Sequence, residues 1–154
     1  MQIILILVGV LLIDLNNNLT DCSADQVVLE TGWYHSNSDR NGEMRVFEYL
    51  NETMYVNPTP IVTVENFERL EINETSWAKG EFMLAIWLDK EGTKKWSDAT
   101  EFAMNNRTNL VFILDNKIIN APMVFAKMTN GATAITRKDL SKKDLEEIKG
   151  KLER

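Results

Sequence analysis

His35, Ser36 and Asp39 come nearest to a base with a nucleophile and an orienting acid. A triad of that kind needs its members to converge in a fixed geometry, with the base in hydrogen-bond reach of the nucleophile. Here they crowd into or beside one polar stretch, Ser36 to Gly42 (SNSDRNG). In such stretches serine, aspartate and asparagine bond to nearby backbone and shape turns. His35 is the only histidine and Cys22 the only cysteine, so a His-based metal cluster and an intramolecular disulfide are both out of reach. Phosphate-cradling glycine loops, C-x-x-C and G-x-S-x-G are absent. The acids have simpler work: Asp89 as a helix N-cap, Asp115 as a turn former, Glu146-Glu147 as a solvated helix face. The expectation is a chain that is not an enzyme and uses no cofactor and no metal; a small hydrolase is the least favoured reading.

Binding chemistry is better represented. Trp87 and Trp96 sit in apolar, regular stretches and read as core. Trp77, beside Lys79-Gly80, reads as an exposed contact, and Met123, Phe125 and Met128 form a second apolar cluster able to touch a partner. The net charge of −6 divides into −8 over residues 1–79 and +2 over residues 80–154. No basic stripe emerges, which argues against nucleic acid.

Residues Ile3 to Ile13 are an unbroken apolar run of 11, about half of a membrane-spanning helix. The run reads as the apolar region of a secretory signal peptide, although no basic side chain precedes it; a buried first strand or helix is the alternative. Leu19-Thr20-Asp21-Cys22 resembles a loose bacterial lipobox, with Asp21 standing where a small residue is usual. The expectation is lipidation at Cys22, which would anchor the chain to a membrane; an inert thiol in the leader is the alternative.

The elements that position these residues follow from period and punctuation. Val27 to Trp33 reads as a strand, and Arg45 to Leu50 with Thr53 to Val56 as a hairpin. Ile61 to Phe67 is open to a short strand or a helical turn, and Leu70 to Asn73 is a short strand. Glu81 to Leu88 is apolar on both faces and predicts a central strand covered on both sides. Glu91 to Met104 predicts a helix burying Trp96, Ala99, Phe102 and Ala103. Asn109 to Leu114, the tight turn Asp115-Asn116, and Lys117 to Ile119 make a hairpin. Val124 to Met128 is ambiguous; Asn130-Gly131 turns into a strand through Ile135. A last helix begins at Ser141, with Asp144 completing a capping box and Leu145, Ile148 and Leu152 as its buried stripe.

Three segments in order resemble the SecD protein-export family. Leu88-Asp89-Lys90-Glu91-Gly92, running on to Ala99-Thr100, is similar to its L-D-x-E-G strand-to-helix motif. Leu110 to Pro122 resembles its A-I-V-L-D-G-K-V-x-S-A-P, with Asp115, Ala121 and Pro122 matching and Asn116 replacing the turn glycine. Asn130-Gly131 to Thr136 resembles its G-G-x-A-x-I-T-G, with Arg137 replacing the last glycine. The resemblance covers residues 59–154 and implies an α+β, ferredoxin-like head with a mixed or antiparallel sheet and two main helices on one face. Asp89, Gly92, Asp115, Asn116, Ala121, Pro122 and Gly131 are then structural motif residues.

The expected organisation is a leader over 1–21, a β-rich segment over 22–58 that packs on or extends the head, and the head over 59–154. The implied partner is a protein or unfolded polypeptide in the context of the Sec machinery, in the bacterial envelope, periplasm-facing or secreted. The alternative is a structural or interaction lipoprotein that keeps the fold without an export role.

Overall fold

A computed structural model describes residues 27–154; the apolar run Ile3–Ile13 and Cys22 lie outside the described residues. Nine strands and two helices follow in the order β1 (Gly32–Asn37), β2 (Glu43–Phe47), β3 (Glu52–Val56), β4 (Val62–Thr63), β5 (Phe67–Glu74), β6 (Phe82–Leu88), α1 (Lys90–Asn106), β7 (Leu110–Leu114), β8 (Lys117–Asn120), β9 (Ala132–Ile135) and α2 (Lys142–Leu152). The chain is therefore α+β. Every strand pairing is antiparallel. One sheet runs β2-β3-β1-β7-β8, with β4 pairing the first half of β1; a second, three-stranded sheet runs β5-β6-β9.

The larger sheet curls until β2 approaches β8. Its strands alternate between two apolar clusters, as period two requires. Tyr34, Val111, Ile113 and Ile118 face one cluster with Phe47 and Val56. Trp33, Leu110, Phe112 and Leu114 face the other, which also takes Leu84, Ile86 and Leu88 of β6 and the buried stripes of both helices. Both helices thus feed the same cluster. Its centre is aromatic, with the Trp33 ring 5.1 Å from both Trp96 and Phe112.

The caps and turns carry the expected chemistry. Asp89 Oδ1 accepts from Gly92 N at 2.6 Å, and Ser141 and Asp144 close a capping box. Asp115 and Asn116 both take left-handed backbone, φ 51° and 62°, as a two-residue hairpin turn needs. Leu145, Ile148 and Leu152 are buried. Between Ile61 and Phe67 both alternatives occur in sequence: strand β4, then a 3-10 turn at Val64–Asn66.

Four expectations change. The first strand spans Gly32–Asn37 instead of Val27–Trp33, because β1 pairs with β7 through His35 and with β3 through Asn37. Ser36 and Asn37 accordingly belong to a strand rather than a turn. Phe102 is half exposed; its ring meets His35 edge-on, with centroids 4.9 Å apart, instead of entering the core beside Ala103. The helix face that packs is narrower than the apolar stripe read from sequence. Finally, β6 is central, but its two faces are covered differently. Leu84, Ile86 and Leu88 enter the core, while Met83, Ala85 and Trp87 line an open groove. Among the described residues no helix is long and apolar enough to cross a membrane.

Candidate functional site

The groove is a cavity of about 590 Å³ between the outer face of the β5-β6-β9 sheet and the Pro122–Met128 loop. Its sheet side is built from Met83, Ala85 and Trp87 on β6 and Ala132 and Ala134 on β9. The two alanines are directly across from Trp87 and Ala85, so small side chains leave room beside a large one. Trp96 and Leu110 border its depth.

The loop is fastened at both ends. At its start Leu110 N donates to the Pro122 carbonyl at 3.1 Å, Asn109 Nδ2 donates to the Ala121 carbonyl at 2.8 Å, and Met123 bridges to Asn109. At its end Met128 N donates to Thr100 Oγ1 at 3.0 Å, and Lys127 Nζ meets Glu101 Oε2 at 2.9 Å. That hydrogen-bonded carboxylate raises the Lys127 ammonium above its usual range. Between the fastenings Val124 is a buried peg, while Met123, Phe125 and Met128 are 49%, 82% and 41% exposed. These large apolar side chains give the tethered loop an exposed apolar surface.

Among the described residues no ionisable side chain lines the groove. Arg69 lies at its border, its guanidinium 4.6 Å over the Trp87 ring, with Glu71 Oε1 2.9 Å from Arg69 Nη1. An uncharged apolar cleft provides burial rather than proton transfer.

The residues singled out from sequence separate into two places. Met123, Phe125 and Met128 share the groove with Pro122. Trp77, 67% exposed, sits on the β5–β6 connection beside a smaller depression of about 200 Å³; Thr136 borders both cavities. Gly92 packs with its Cα toward Asn66, where a Cβ would lie 2.9 Å from Asn66 Cβ. Gly131 needs its φ of 68°. Asn116 does more than turn the chain: its Oδ1 accepts from Leu29 N at 3.0 Å and from Arg45 Nη2 at 2.9 Å. Arg137 likewise reaches the Ile119 carbonyl through Nη1 at 2.8 Å and stacks over Tyr49 at 4.7 Å.

His35 is half buried; desolvation holds its imidazole below the usual histidine range, and Nδ1 has no partner among the described residues. Ser36 Oγ accepts from Asn109 N at 2.9 Å, and Asp39 Oδ1 accepts from Asn41 N at 3.0 Å, so each serves backbone. Sequence reasoning missed Trp87, Met83, Ala132 and Ala134 as groove residues. The one available signal was that β6 is apolar on both faces.

Two solved structures share the fold. A membrane component SecDF that enhances protein export superposes with TM-score 0.61 and 15% identity over 86% of this chain and 66% of that one. SecDF in its super-membrane-facing form superposes with TM-score 0.50 and 21% identity over 60% of this chain and 11% of that one. The chain therefore spans about two thirds of one SecDF chain and about a tenth of the other. A search of curated proteins returned no match. The architecture is that of an antiparallel α+β head with two helices. Residues 42–145 match the family described as SecDF, P1 head subdomain, and the chain belongs to that family.

Proposed function

We propose that this protein is a non-enzymatic envelope component, related to protein export, that holds apolar segments of unfolded polypeptide in the groove beneath the Pro122–Met128 loop. One observation carries this reading: the cavity is apolar, has no ionisable lining, and is bordered by Met123, Phe125 and Met128 displayed on a tethered loop. Burying an uncompensated charge there is costly, which selects neutral, apolar segments over charged ones. The relevant setting is the periplasmic side of the bacterial envelope beside the Sec machinery, with the chain anchored through lipidated Cys22. Trp77 extends the contact surface past Thr136. Within the described residues, 27–58 extend the head in this reading, which is supported by β1 running between β7 and β3 in the larger sheet.

The test uses a fluorescein-labelled, acetylated and amidated nine-residue peptide. It carries one central phenylalanine flanked by leucines in a serine–alanine background. The full chain is expected to bind it saturably by anisotropy, and Phe125→Ser to weaken binding about tenfold, the scale of one aromatic side chain's burial. Absence of binding, or binding indifferent to Phe125→Ser and Met123→Ser together, sinks the reading and favours a structural lipoprotein that kept only the fold.

A further inference from the structure

The free edge of β9 borders this groove, and its backbone groups can be assigned one by one. In the β6–β9 ladder Trp87 stands opposite Ala132 and Leu84 opposite Ile135. The bond from Leu88 N to the Gly131 carbonyl, 2.8 Å, sets the phase. Alternate residues of a strand point their N–H and C=O to opposite sides. Gly131, Thr133 and Ile135 therefore bond to β6, while Ala132 and Ala134 direct theirs to the free edge. Two of these four edge groups are taken by side chains: Ala132 N donates to Asn130 Oδ1 at 3.2 Å, and Asn120 Nδ2 donates to the Ala134 carbonyl at 3.3 Å. Among the described residues the Ala132 carbonyl and the Ala134 N–H have no partner.

Only on a parallel strand can one residue bond both members of that pair. An antiparallel strand bonds to the N–H and C=O of one residue, and at both Ala132 and Ala134 half of that set is occupied. A residue on a parallel strand bonds instead to the C=O of one residue and the N–H of the residue two further on. The open groups have that spacing. Resting on the reading of the groove as a polypeptide site, we infer that its occupant is an extended, uncharged segment of another polypeptide lying parallel to β9. One of its residues, opposite Thr133, donates its N–H to the Ala132 carbonyl and accepts from Ala134 N–H. This is strand addition to a sheet edge, in which main-chain bonds supply affinity and pockets for alternate side chains supply selectivity.

The same labelled peptide decides the matter when methylated on one backbone nitrogen at a time and titrated against the full chain. Methylation is expected to weaken binding about tenfold at one position and little at its neighbours. On the protein side, Ala134→Pro removes the open N–H without removing a bond to β6, a place where an edge strand tolerates proline. It should weaken the unmethylated peptide by a similar factor. Binding that is indifferent to every methyl group overturns strand addition and leaves the groove reading intact; no binding of the unmethylated peptide overturns both. Losses at two alternate positions mark an antiparallel strand that displaces the Asn120 amide from the Ala134 carbonyl, and overturn the parallel assignment. Two other results assign the groove to a different occupant and overturn this one: peptide affinity that emerges only when Ile3–Ile13 is replaced by serines, or a dimer dispersed by Ala134→Pro.

Discussion

Replacing Asn116 by glycine restores the turn residue of the family pattern, and on backbone grounds alone it should stabilise the protein. Asn116 holds φ 62°, which glycine adopts without a Cβ penalty, a gain of about 1 kcal/mol at most. The side chain argues the other way. Asn116 Oδ1 accepts from Leu29 N and from Arg45 Nη2, and Arg45 is only 5% exposed. Arg45 keeps the Val27 and Met44 carbonyls and the Glu43 carboxylate, so its charge is not stranded, but Nη2 loses one of its two acceptors. Losing a hydrogen bond to a buried charged group costs about 1.5–3 kcal/mol, and orphaning the Leu29 amide costs about 1 kcal/mol more. The net expectation for Asn116→Gly is a loss of about 2 kcal/mol. Urea unfolding followed by tryptophan fluorescence measures it. Asn116→Asp, which keeps an acceptor oxygen beside Arg45, should retain most of the stability. If Asn116→Gly is as stable as the parent or more so, these two bonds contribute nothing and Asn116 is a turn residue only.

His35 gives a pH signature. Burial lowers its folded pKa below the ordinary histidine value of 6.5, so the unfolded chain binds a proton that the folded chain resists. Stability from this group is complete above pH 6.5 and falls as the pH drops from there toward the folded value; His35→Gln should flatten that slope in urea midpoints taken between pH 7 and 5, and an unchanged slope refutes the assignment. Gly131→Ala should cost more than about 2 kcal/mol, combining left-handed strain with overpacking, because a Cβ there overlaps Thr93 Oγ1. Thr93→Ala in the same chain should recover the steric part alone, and full recovery would mean that the backbone angle is unstrained. Mass spectrometry of the protein from a bacterial envelope should find a mature N-terminus at an acylated Cys22; an unmodified thiol excludes the lipid anchor.

Local chemistry in this chain was legible wherever the deciding partners lie within a few residues. Asp89 to Gly92 and Ser141 to Asp144 are caps closed within one turn, and Asp115-Asn116 is a two-residue turn whose backbone demand shows in its residue types. The order of three motifs was enough to place the chain in its family, which the match over residues 42–145 bears out. Legibility failed where the deciding partner is remote. Phe102 and Ala103 are adjacent on α1, and only the position of β1 determines that Ala103 enters the core while Phe102 meets His35 at the surface. Apolar residues on both faces of β6 announce burial without naming what buries them, so Trp87 was read as core when its covering layer is a loop standing off across a cavity.

By itself, then, the sequence determined the succession of elements, their caps and turns, and the family, because propensity, capping and turn geometry are short-range. The tertiary structure alone decided three things. It chose which apolar face stays open, through the tether of Met128 N to Thr100. It chose which loop residue is the peg, since Val124 fits the core and Phe125 does not. And it left one carbonyl and one amide of β9 without a partner among the described residues, because the β6–β9 register directs Ala132 and Ala134 outward while Asn120 and Asn130 cap only half of what they offer. Backbone pairing depends on register across the sheet, and register is a property of the assembled core rather than of any segment within it.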